Sequence, residues 1–547
     1  MFSIIVKACT TLRGKARGFQ RDEDGALIIF GLMFFILMVM MGGLAVDLMR
    51  YENTRTKLQN TLDRGTLAAA TLDQALDAQA VVDDYMRKAG LSDQLQSVQV
   101  TSAMNERIVH STGVADTHPM FLHLMGINRL DAVGLSEAEQ SISNLEIVLV
   151  LDVSGSMTGQ KIANLKIAAD QFVDTVMAND PHHRVSIAIV PYNAQVNIGP
   201  KLAAKFNLTN RAGVNNVNCV EIPPSEYATQ ALSLTNPMPM MAYADIAYGT
   251  NRINGFVAPN DATYARPNYN NAFCKPTTVN VVRLPSNDPA TLKSEIDALQ
   301  AGGNTSITLG MKWGVAMLDP SMRATYADFI ASGDIPASLP ARPFDYADTR
   351  AMKIVVLMTD GEHVAHNRIN DAYKTGASPI WKAPDGNYSI QFTTGRPAWA
   401  GSNQFYVPHL NVWQAAAYNG GGSAVQQDWK DIWANLKMSY VAWQFYARAL
   451  GSSNSAPSMT VYTNTVNAMQ SIYAQVPDMD ASLQTTCDQA RANGVTIYGI
   501  TIEAPVHGNE VITNCAHPER TFIADRNTLN TVFQTIAINL TNLKLTQ

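Results

Sequence analysis

The stretch LEIVLVLDVSGS at residues 145–156 joins a strand-length run, apolar apart from Glu146, to a D-x-S-x-S motif. A run of this length and composition is typical of a parallel β-strand that is covered on both faces. Further strand-like runs recur along the chain, with helical stretches between them, at residues 184–190, 353–360, 495–502 and 521–525. This alternation predicts a doubly wound, Rossmann-like α/β domain with a mostly parallel sheet over residues 144–547.

Two long segments interrupt the alternation, at about residues 193–288 and 362–470. Structureless loops of that length are rare inside a compact domain, so we expect two partly structured insertions. The second segment holds six of the seven tryptophans. Apolar residues at helical spacing over residues 425–450 predict a helix there and favour a core private to the insertion. A carbohydrate- or protein-binding surface is the alternative.

Polar side chains follow the predicted strands at the point where the strands end. Asp152, Ser154 and Ser156 come directly after the first strand, and Asp360 ends the strand at 353–360. Between them in sequence, Thr305 follows a Gly-Gly-Asn turn and opens a predicted helix. Ligands of open parallel sheets bind in the crevice beyond the carboxyl ends of the strands. We therefore expect these five side chains to converge there.

The five side chains offer only hydroxyl and carboxylate oxygens. Such a set suits a hard divalent cation, and we expect Mg²⁺, with Mn²⁺ or Ca²⁺ as alternatives. Two plainer explanations stay open: Asp152 could merely cap a helix, or the site could be retained without metal. His363 and His366 follow Asp360 closely, but without a third ligand we interpret them as loop or cap histidines.

Near the N-terminus, the uncharged stretch ALIIFGLMFFILMVMMGGLAV at residues 26–46 has the length of a transmembrane helix. A buried core helix and a cleaved signal peptide are the alternatives. No A-x-A-like cleavage site follows Val46, which favours a retained, single-pass anchor. Five basic residues precede the stretch, so the positive-inside rule predicts a cytoplasmic tail at residues 1–25, with the bulk of the chain outside the cytoplasm.

Two smaller regions are predicted between the anchor and the α/β domain. Apolar residues recur on one helical face at Leu58, Leu62, Ala69, Leu72 and Leu76. They predict an amphipathic helix over residues 53–89, continuing out of the membrane as a stalk within residues 47–92. Residues 93–143 have the pattern of short strands and turns and predict a small connecting module.

Four cysteines lie beyond the predicted anchor, in a compartment where disulfides form. We expect the pairs Cys219–Cys274 and Cys487–Cys515, because each would close one local loop. Four buried free thiols are the alternative. No C-x-x-C motif occurs, so a zinc or thioredoxin-like site is not expected.

Two parts of the chain resemble known families. The D-x-S-x-S motif, with Thr305 and Asp360 in order, resembles the metal-ion-dependent adhesion site (MIDAS) of von Willebrand factor A (vWA) domains at all five positions. The segment DGALIIFGL…GGLAVDLMRYENTRTKLQNTLDRGTLAAA, beginning at Asp24, resembles TadE/TadG-like membrane proteins. Over nearly its whole length the chain therefore resembles TadG-like proteins of Tad (tight adherence) pilus assembly.

These resemblances imply a function as well as a fold. The three hydroxyls would bind the metal directly, the aspartates directly or through water, and one coordination position would be left for a partner carboxylate. The Tad likeness implies a bacterial inner-membrane location and other Tad/Flp pilus components, or a carboxylate-bearing protein, as partners. Prepilin-like relatives carry Glu five residues after the glycine before the apolar segment. Here Phe30 follows Gly25 at that distance, so we expect no prepilin cleavage.

We therefore expect a membrane-anchored, metal-dependent protein-binding module in pilus assembly and surface adherence, and not an enzyme. A surface adhesin that engages a host or matrix ligand through the same site is the alternative. A metal-assisted hydrolase is a third, for which no general base is evident. With 46% hydrophobic and 16% charged residues, a net charge of -6 and no long basic block, the chain is globular and nucleic acid is not an expected partner.

Overall fold

The computed structural model describes residues 24–71, 76–103, 106–141, 144–178, 180, 183–245, 265–268, 272, 274–348, 350–453 and 456–546. The chain divides into two compact units, Met1–Ile142 and Ser143–Gln547. The predicted tail at residues 1–25 lies outside the described residues except for its last two.

The N-terminal unit consists of two helices and one antiparallel sheet in the order β1-β2-β3. The elements are α1 (Asp24–Ala70), α2 (Ala78–Lys88), β1 (Leu95–Ala103), β2 (Glu106–Thr117) and β3 (Leu130–Ser141). In the described part of the chain, α1 is the one helix that is long and apolar enough to cross a membrane. Its large apolar side chains from Leu27 to Met49 are exposed, as lipid-facing residues would be.

The second half of α1 packs on the sheet. Leu58 and Leu62 are fully buried, and glycine at position 134 of β3 leaves room for them, since an ideal Cβ there would lie 2.7 Å from Leu62 Cδ1. The single stalk helix predicted over 53–89 was wrong in one respect: α1 ends at Ala70, and a separate helix, α2, begins at Ala78, capped by the Asp77 carboxylate. Of the predicted apolar face, Leu76 is exposed, and Leu72 lies outside the described residues.

The C-terminal unit contains a six-stranded sheet and its helices. The strands of this sheet are β4 (Asn144–Asp152), β5 (Val185–Tyr192), β8 (Arg283–Ser286), β9 (Ala351–Thr359), β17 (Thr496–Ile502) and β18 (Thr521–Ala524), and the strand pair β6 (Leu208–Thr209) and β7 (Met238–Pro239) lies apart. The helices around it are α3 (Gln160–Met177), α4 (Gly199–Ala203), α5 (Pro289–Asp297), α6 (Ile307–Ala316) and α7 (Arg323–Ala331), followed later in the chain by α11 (Val476–Ala492), α12 (Val506–Ala516) and α13 (Leu529–Thr546).

The strand order is β18-β17-β9-β4-β5-β8. Neighbours from β18 to β5 pair in parallel, and the edge strand β8 is antiparallel. The prediction of a mixed α/β unit with parallel strands is therefore confirmed. The short strand β8 and the helix α7 were missed by the sequence prediction, because β8 has four residues that include a proline and α7 has no clear helical period of apolar residues.

The sheet is buried on both faces because β4 is apolar at consecutive positions. Side chains of neighbouring strand residues point to opposite faces. Val148 and Val150 join a core with α6, whereas Ile147 and Leu149 join a core with α3 and α13. All ten residues of α6 are buried, and its glycines 310 and 314 permit contact with Tyr192 and Val150 at distances that a Cβ would prevent.

The segment between β9 and α11 forms further structure of its own. The elements are β10 (His366–Ile369), β11 (Ala377–Lys382), β12 (Tyr388–Gln391), β13 (Phe405–Val407), β14 (Val412–Gln414), β15 (Val425–Asp428), α8 (Trp429–Asn435), α9 (Met438–Tyr440), a π-helix (Val441–Ala447), α10 (Met459–Met469) and β16 (Gln470–Ala474). Strands β14-β13-β12-β11-β15 make one sheet, and β10 pairs with β16.

The aromatic residues of this segment pack inward. Trp413, Trp429, Trp433 and Trp443 are buried in one cluster. The same cluster contains residues of the other predicted insertion, such as Cys219 and Met241, so the core expected to be private to residues 362–470 is shared by both segments. The single helix predicted over 425–450 was wrong, because Val425–Asp428 is a strand and the backbone is extended at Leu436. Asp428 caps α8 by accepting a bond from the Lys430 backbone N–H, so helix begins only after that strand.

Both predicted disulfides are confirmed. Cys219 pairs with Cys274, and Cys487 on α11 pairs with Cys515 on α12. Each closes a local loop, with sequence separations of 55 and 28 residues.

Candidate metal site at the carboxyl edge of the sheet

Three loops meet beyond the carboxyl ends of β4 and β9, and backbone hydrogen bonds hold them together. After β4, the Gly155 N–H donates to the Gly303 carbonyl at 2.8 Å, and the Gly302 N–H donates to the Val153 carbonyl at 2.8 Å. The Val364 N–H, after β9, donates to the Thr305 carbonyl at 3.0 Å. The loop of Thr305 is thus fixed on both sides.

The close approach of two loops at Gly155 favours glycine. An ideal Cβ there would lie 3.2 Å from the Gly303 carbonyl oxygen, which is closer than ordinary van der Waals contact. The lack of a side chain lets the loop after β4 approach the loop before α6, which brings the Ser154–Ser156 pair toward Thr305.

The Asp152 carboxylate is buried and oriented by two donors. Its Oδ1 accepts the Ser154 backbone N–H at 2.7 Å, and its Oδ2 accepts the Thr359 hydroxyl at 2.8 Å. Burial, together with the negative charge of Asp360, raises the pKa of Asp152 to about 6. Two carboxylates held near each other in a desolvated crevice repel each other, and a bound cation would offset that repulsion.

Asp360 is contacted by a hydroxyl and an ammonium group. Ser156 Oγ donates to its Oδ1 at 2.6 Å, and Lys161 Nζ donates to its Oδ2 at 2.8 Å. Ser154 Oγ lies 3.0 Å from Ser156 Oγ, so the two hydroxyls and the carboxylate form one connected group. Ser156 is exposed while Asp360 is buried, which places the mouth of the crevice at Ser156.

Thr305 reaches the same crevice from the opposite loop. Its Oγ1 lies 3.7 Å from the position of an ideal Cβ on Gly361, and Ser156 Oγ lies 4.0 Å from that position. The structure therefore brings all five predicted side chains to one edge of the sheet. The oxygen-only donor set fits a hard divalent cation. The described residues hold no group of three or more His, Cys, Asp or Glu side chains that could bind a metal, and this crevice contains two carboxylates with three hydroxyls.

Two residues that the sequence analysis did not single out take part in the site. Thr359, the last residue of β9, orients Asp152, and Lys161, in the first turn of α3, neutralises Asp360. Thr359 could have been noticed, because it directly precedes Asp360 in sequence. Lys161 could not, because it lies in the first turn of a helix and nothing in the neighbouring sequence indicates a contact with Asp360.

The histidines after Asp360 have structural roles. His363 is buried, its Nε2 accepts the Thr308 backbone N–H at 3.0 Å in the first turn of α6, and its Nδ1 lies 2.7 Å from Asp480 Oδ1. His366 Nε2 lies 3.0 Å from Gln195 Nε2. His363 is therefore a helix cap, which agrees with the interpretation made from the sequence.

Together these features define a mixed α/β protein with a long apolar N-terminal helix and an oxygen-lined crevice at the carboxyl edge of a parallel sheet. Residues 25–74 match the family described as putative Flp pilus-assembly TadE/G-like. This match supports a Tad pilus-assembly relationship for the N-terminal segment, which it covers without reaching the sheets.

Three solved pilus proteins are similar to this chain at low level. The pilus adhesin SpaC from Lactobacillus rhamnosus GG has 10% identity over 81% of this chain and 33% of its own, with a TM-score of 0.29. The adhesive tip pilin GBS104 from Group B Streptococcus agalactiae has 12% identity over 72% and 99%, with a TM-score of 0.30. The pilus adhesin RrgA from Streptococcus pneumoniae has 10% identity over 82% and 49%, with a TM-score of 0.28.

The chain thus spans about a third of the length of SpaC and about half that of RrgA. Overlaps with TM-scores this low carry no argument about fold or function. No curated protein sequence matches the chain.

Proposed function

We propose that the chain is a membrane-anchored vWA protein of Tad/Flp pilus assembly, in which a MIDAS-type site binds a partner protein through a divalent cation. In this proposal α1 is the inner-membrane anchor, the tail at 1–25 is cytoplasmic, and the remainder is outside the cytoplasm. Residues 144–547 form the vWA domain, with insertions at about 193–288 and 362–470. The TadE/G-like match at residues 25–74 supports the pilus role.

The observation that carries the proposal is the convergence of five oxygen-bearing side chains from three loops. Ser154, Ser156 and Thr305 would supply hydroxyl ligands, and Asp152 and Asp360 would supply negative charge, directly or through water. We propose Mg²⁺ as the resident ion, with Mn²⁺ or Ca²⁺ as alternatives.

Three features would leave the bound ion able to accept an anion. The Asp152 oxygens are already engaged by Ser154 and Thr359, and one Asp360 oxygen is held by Lys161, so much of the carboxylate charge is shared with protein donors. The exposed Ser156 places the site at the surface. A cation held there with an open coordination position would bind a carboxylate side chain of a partner.

The test is a metal-dependent capture using the full-length protein in detergent. Envelope extract would be applied with Mg²⁺, and bound proteins would be eluted with EDTA and identified by mass spectrometry. Asp152→Ala removes a proposed ligand, and Glu519→Ala removes an exposed carboxylate outside the site as a matched control.

We expect Tad components in the EDTA eluate of the wild type and of Glu519→Ala, but not of Asp152→Ala. Elution of nothing from the extract, combined with EDTA-sensitive attachment of the purified protein to host or matrix surfaces, would favour the adhesin alternative. Capture that depends on neither metal nor Asp152 would overturn the proposed function.

A further inference from the structure

The loop between β2 and β3 carries a cluster of exposed apolar side chains. We refer to residues 119–127, PMFLHLMGI, as the apolar loop. Met120, Leu124 and Met125 are 64%, 70% and 62% exposed, and Ile127 is exposed as well. Single exposed apolar residues are common, but a contiguous group of this kind marks an interaction surface.

The apolar loop lies against the apolar stretch of α1. An ideal Cβ on Gly43 would lie 2.3 Å from Phe121 Cγ, so the phenyl ring rests directly on the helix backbone. Gly43 precedes Val46, the end of the uncharged stretch, by three residues, or about 4.5 Å along a helix axis. If the uncharged stretch is in the bilayer, the residues that contact Gly43 are at bilayer depth too.

Asp47, one turn beyond Gly43, holds the loop in this position. Its carboxylate is 1% exposed and accepts three backbone N–H groups, from Met120 at 2.8 Å, Phe121 at 2.7 Å and Leu122 at 2.8 Å. Backbone donors that enter lipid need partners within the protein, because each unpaired group costs several kcal/mol. The Asp47 carboxylate provides hydrogen-bond partners for the three backbone N–H groups at the start of the loop.

The rest of the loop pairs its backbone internally. The Leu124 N–H donates to the Phe121 carbonyl at 3.0 Å, and the Ile127 N–H donates to the Leu122 carbonyl at 3.2 Å. The exposed polar residues His118 and Arg129 flank the loop at its base, where lipid headgroups would lie, and one exposed polar side chain, His123, lies within the loop between Leu122 and Leu124.

We propose that the apolar loop inserts into the lipid leaflet next to α1, so that the N-terminal unit contacts the bilayer through two elements. This inference rests on the proposed membrane anchor. The occupant of the surface is lipid, because the loop continues the apolar surface of the helix at the same depth. Two contacts would fix the tilt of the sheet on the membrane, which a single helix cannot do.

The experiment uses the full-length protein in vesicles of phosphatidylethanolamine and phosphatidylglycerol. Cys9→Ser removes the fifth cysteine of the chain, and the other four form disulfides. In that background, single cysteines are placed in the loop as Leu124→Cys and, as a second position, Met125→Cys. Each is assayed by maleimide labelling in water and, after attachment of a fluorophore, by quenching with nitroxide lipids.

Two leucines serve as depth controls. Leu37→Cys reports the middle of the proposed span. Leu135→Cys reports a position on the sheet of the same unit, where the leucine is 58% exposed. The backbone of Leu135 forms hydrogen bonds with the side chain of Gln59. Gln59 lies thirteen residues beyond Val46, about 20 Å farther along the helix axis. Leu135 should therefore be in water.

We expect the loop positions to label at least about tenfold more slowly than Leu135→Cys, because an apolar environment suppresses the reactive thiolate. We also expect nitroxide lipids to quench fluorophores at the loop and at position 37 but not at 135. Rapid labelling of both loop positions with protection at 37 would overturn the loop proposal and leave the anchor intact. Slow labelling without lipid quenching would show that protein covers the loop, and rapid labelling at 37 would overturn the anchor itself.

Discussion

Lys161 Nζ lies 2.8 Å from Asp360 Oδ2, so an ammonium group contacts a carboxylate that we propose as a metal ligand. The lysine side chain is 18% exposed, and its Nζ also lies 3.9 Å from Glu503. Its positive charge balances part of the negative charge of the crevice when no cation is bound. A divalent cation that binds beside Asp360 would be repelled by the Lys161 ammonium group.

Replacing Lys161 should therefore strengthen metal binding. A unit charge about 4 Å away is worth about 4 kcal/mol at an effective dielectric constant of about 20, and partial exposure reduces this. We expect Lys161→Gln to bind Mg²⁺ about tenfold more tightly, measured by isothermal titration calorimetry. Lys166→Gln, five residues farther along α3, is the control, and an unchanged affinity in Lys161→Gln would argue against a cation beside Asp360.

Gly508 on α12 supports the loop that carries Asp360. An ideal Cβ on Gly508 would lie 2.3 Å from the Gly361 carbonyl oxygen, so alanine would push that loop out of position. We expect Gly508→Ala to weaken Mg²⁺ binding and to reduce the free energy of unfolding by about 1–3 kcal/mol. Glu510→Ala, at an exposed position of the same helix, should change neither quantity. A wild-type metal affinity in Gly508→Ala would show that Gly361 does not help to shape the site.

Acid should destabilise the C-terminal unit through His366. Burial lowers the pKa of His366 to about 4, below its unfolded value of about 6.5. A lowered histidine pKa contributes stability above about pH 6.5, and that stability is lost as the pH falls toward 4. Between pH 7 and pH 5 we expect this group to remove about 2 kcal/mol from the free energy of unfolding.

Tryptophan fluorescence during urea unfolding, in EDTA, measures this effect in the C-terminal unit, because all seven tryptophans lie between residues 313 and 443. His366→Gln keeps an acceptor for Gln195 but does not titrate, so its loss of stability between pH 7 and pH 5 should be smaller by that amount. His183→Gln, at an exposed position, should behave as the wild type. Equal acid sensitivity of wild type and His366→Gln would refute the prediction.

The Cys487–Cys515 disulfide joins α11 to α12, the helix that contains Gly508. A crosslink that closes a loop of this size stabilises a protein by about 3–4 kcal/mol. We expect the double variant Cys487→Ala, Cys515→Ala to unfold at a clearly lower urea concentration, whereas Cys9→Ser should not. If the midpoints coincide, the disulfide does not form in the membrane-bound protein.

The sequence predicted the parallel strands well because these strands are buried on both faces. In LEIVLVLD every position is buried, so the run is apolar apart from Glu146, which is paired with Lys353, and its end at Asp152 is unambiguous. Once Asp152 and Asp360 are placed at strand ends, their convergence follows from the parallel pairing of β4 and β9. The disulfides were predictable for a similar reason, since each closes a short local loop.

Features made by distant or short segments were not predictable. The strand β8 is four residues long and includes a proline, so it has no apolar pattern. The predicted 425–450 helix begins only at Trp429, after the Asp428 cap, and ends where the backbone is extended at Leu436, neither of which periodicity reveals. The contact of the apolar loop with α1 could not be predicted, because it forms only when the β2–β3 hairpin brings Phe121 to Gly43, 78 residues earlier in the chain.

The most direct measurement is the stoichiometry and affinity of divalent cation binding to the full-length protein in detergent. Titration calorimetry with Mg²⁺, and electron paramagnetic resonance with Mn²⁺, would be carried out on the wild type, Asp152→Asn and Thr305→Val. We expect one ion per chain in the wild type, with binding lost or greatly weakened in both variants because each removes an oxygen donor from a different loop. Absence of binding in the wild type, or binding that both variants retain, would contradict a cation site built from these five side chains.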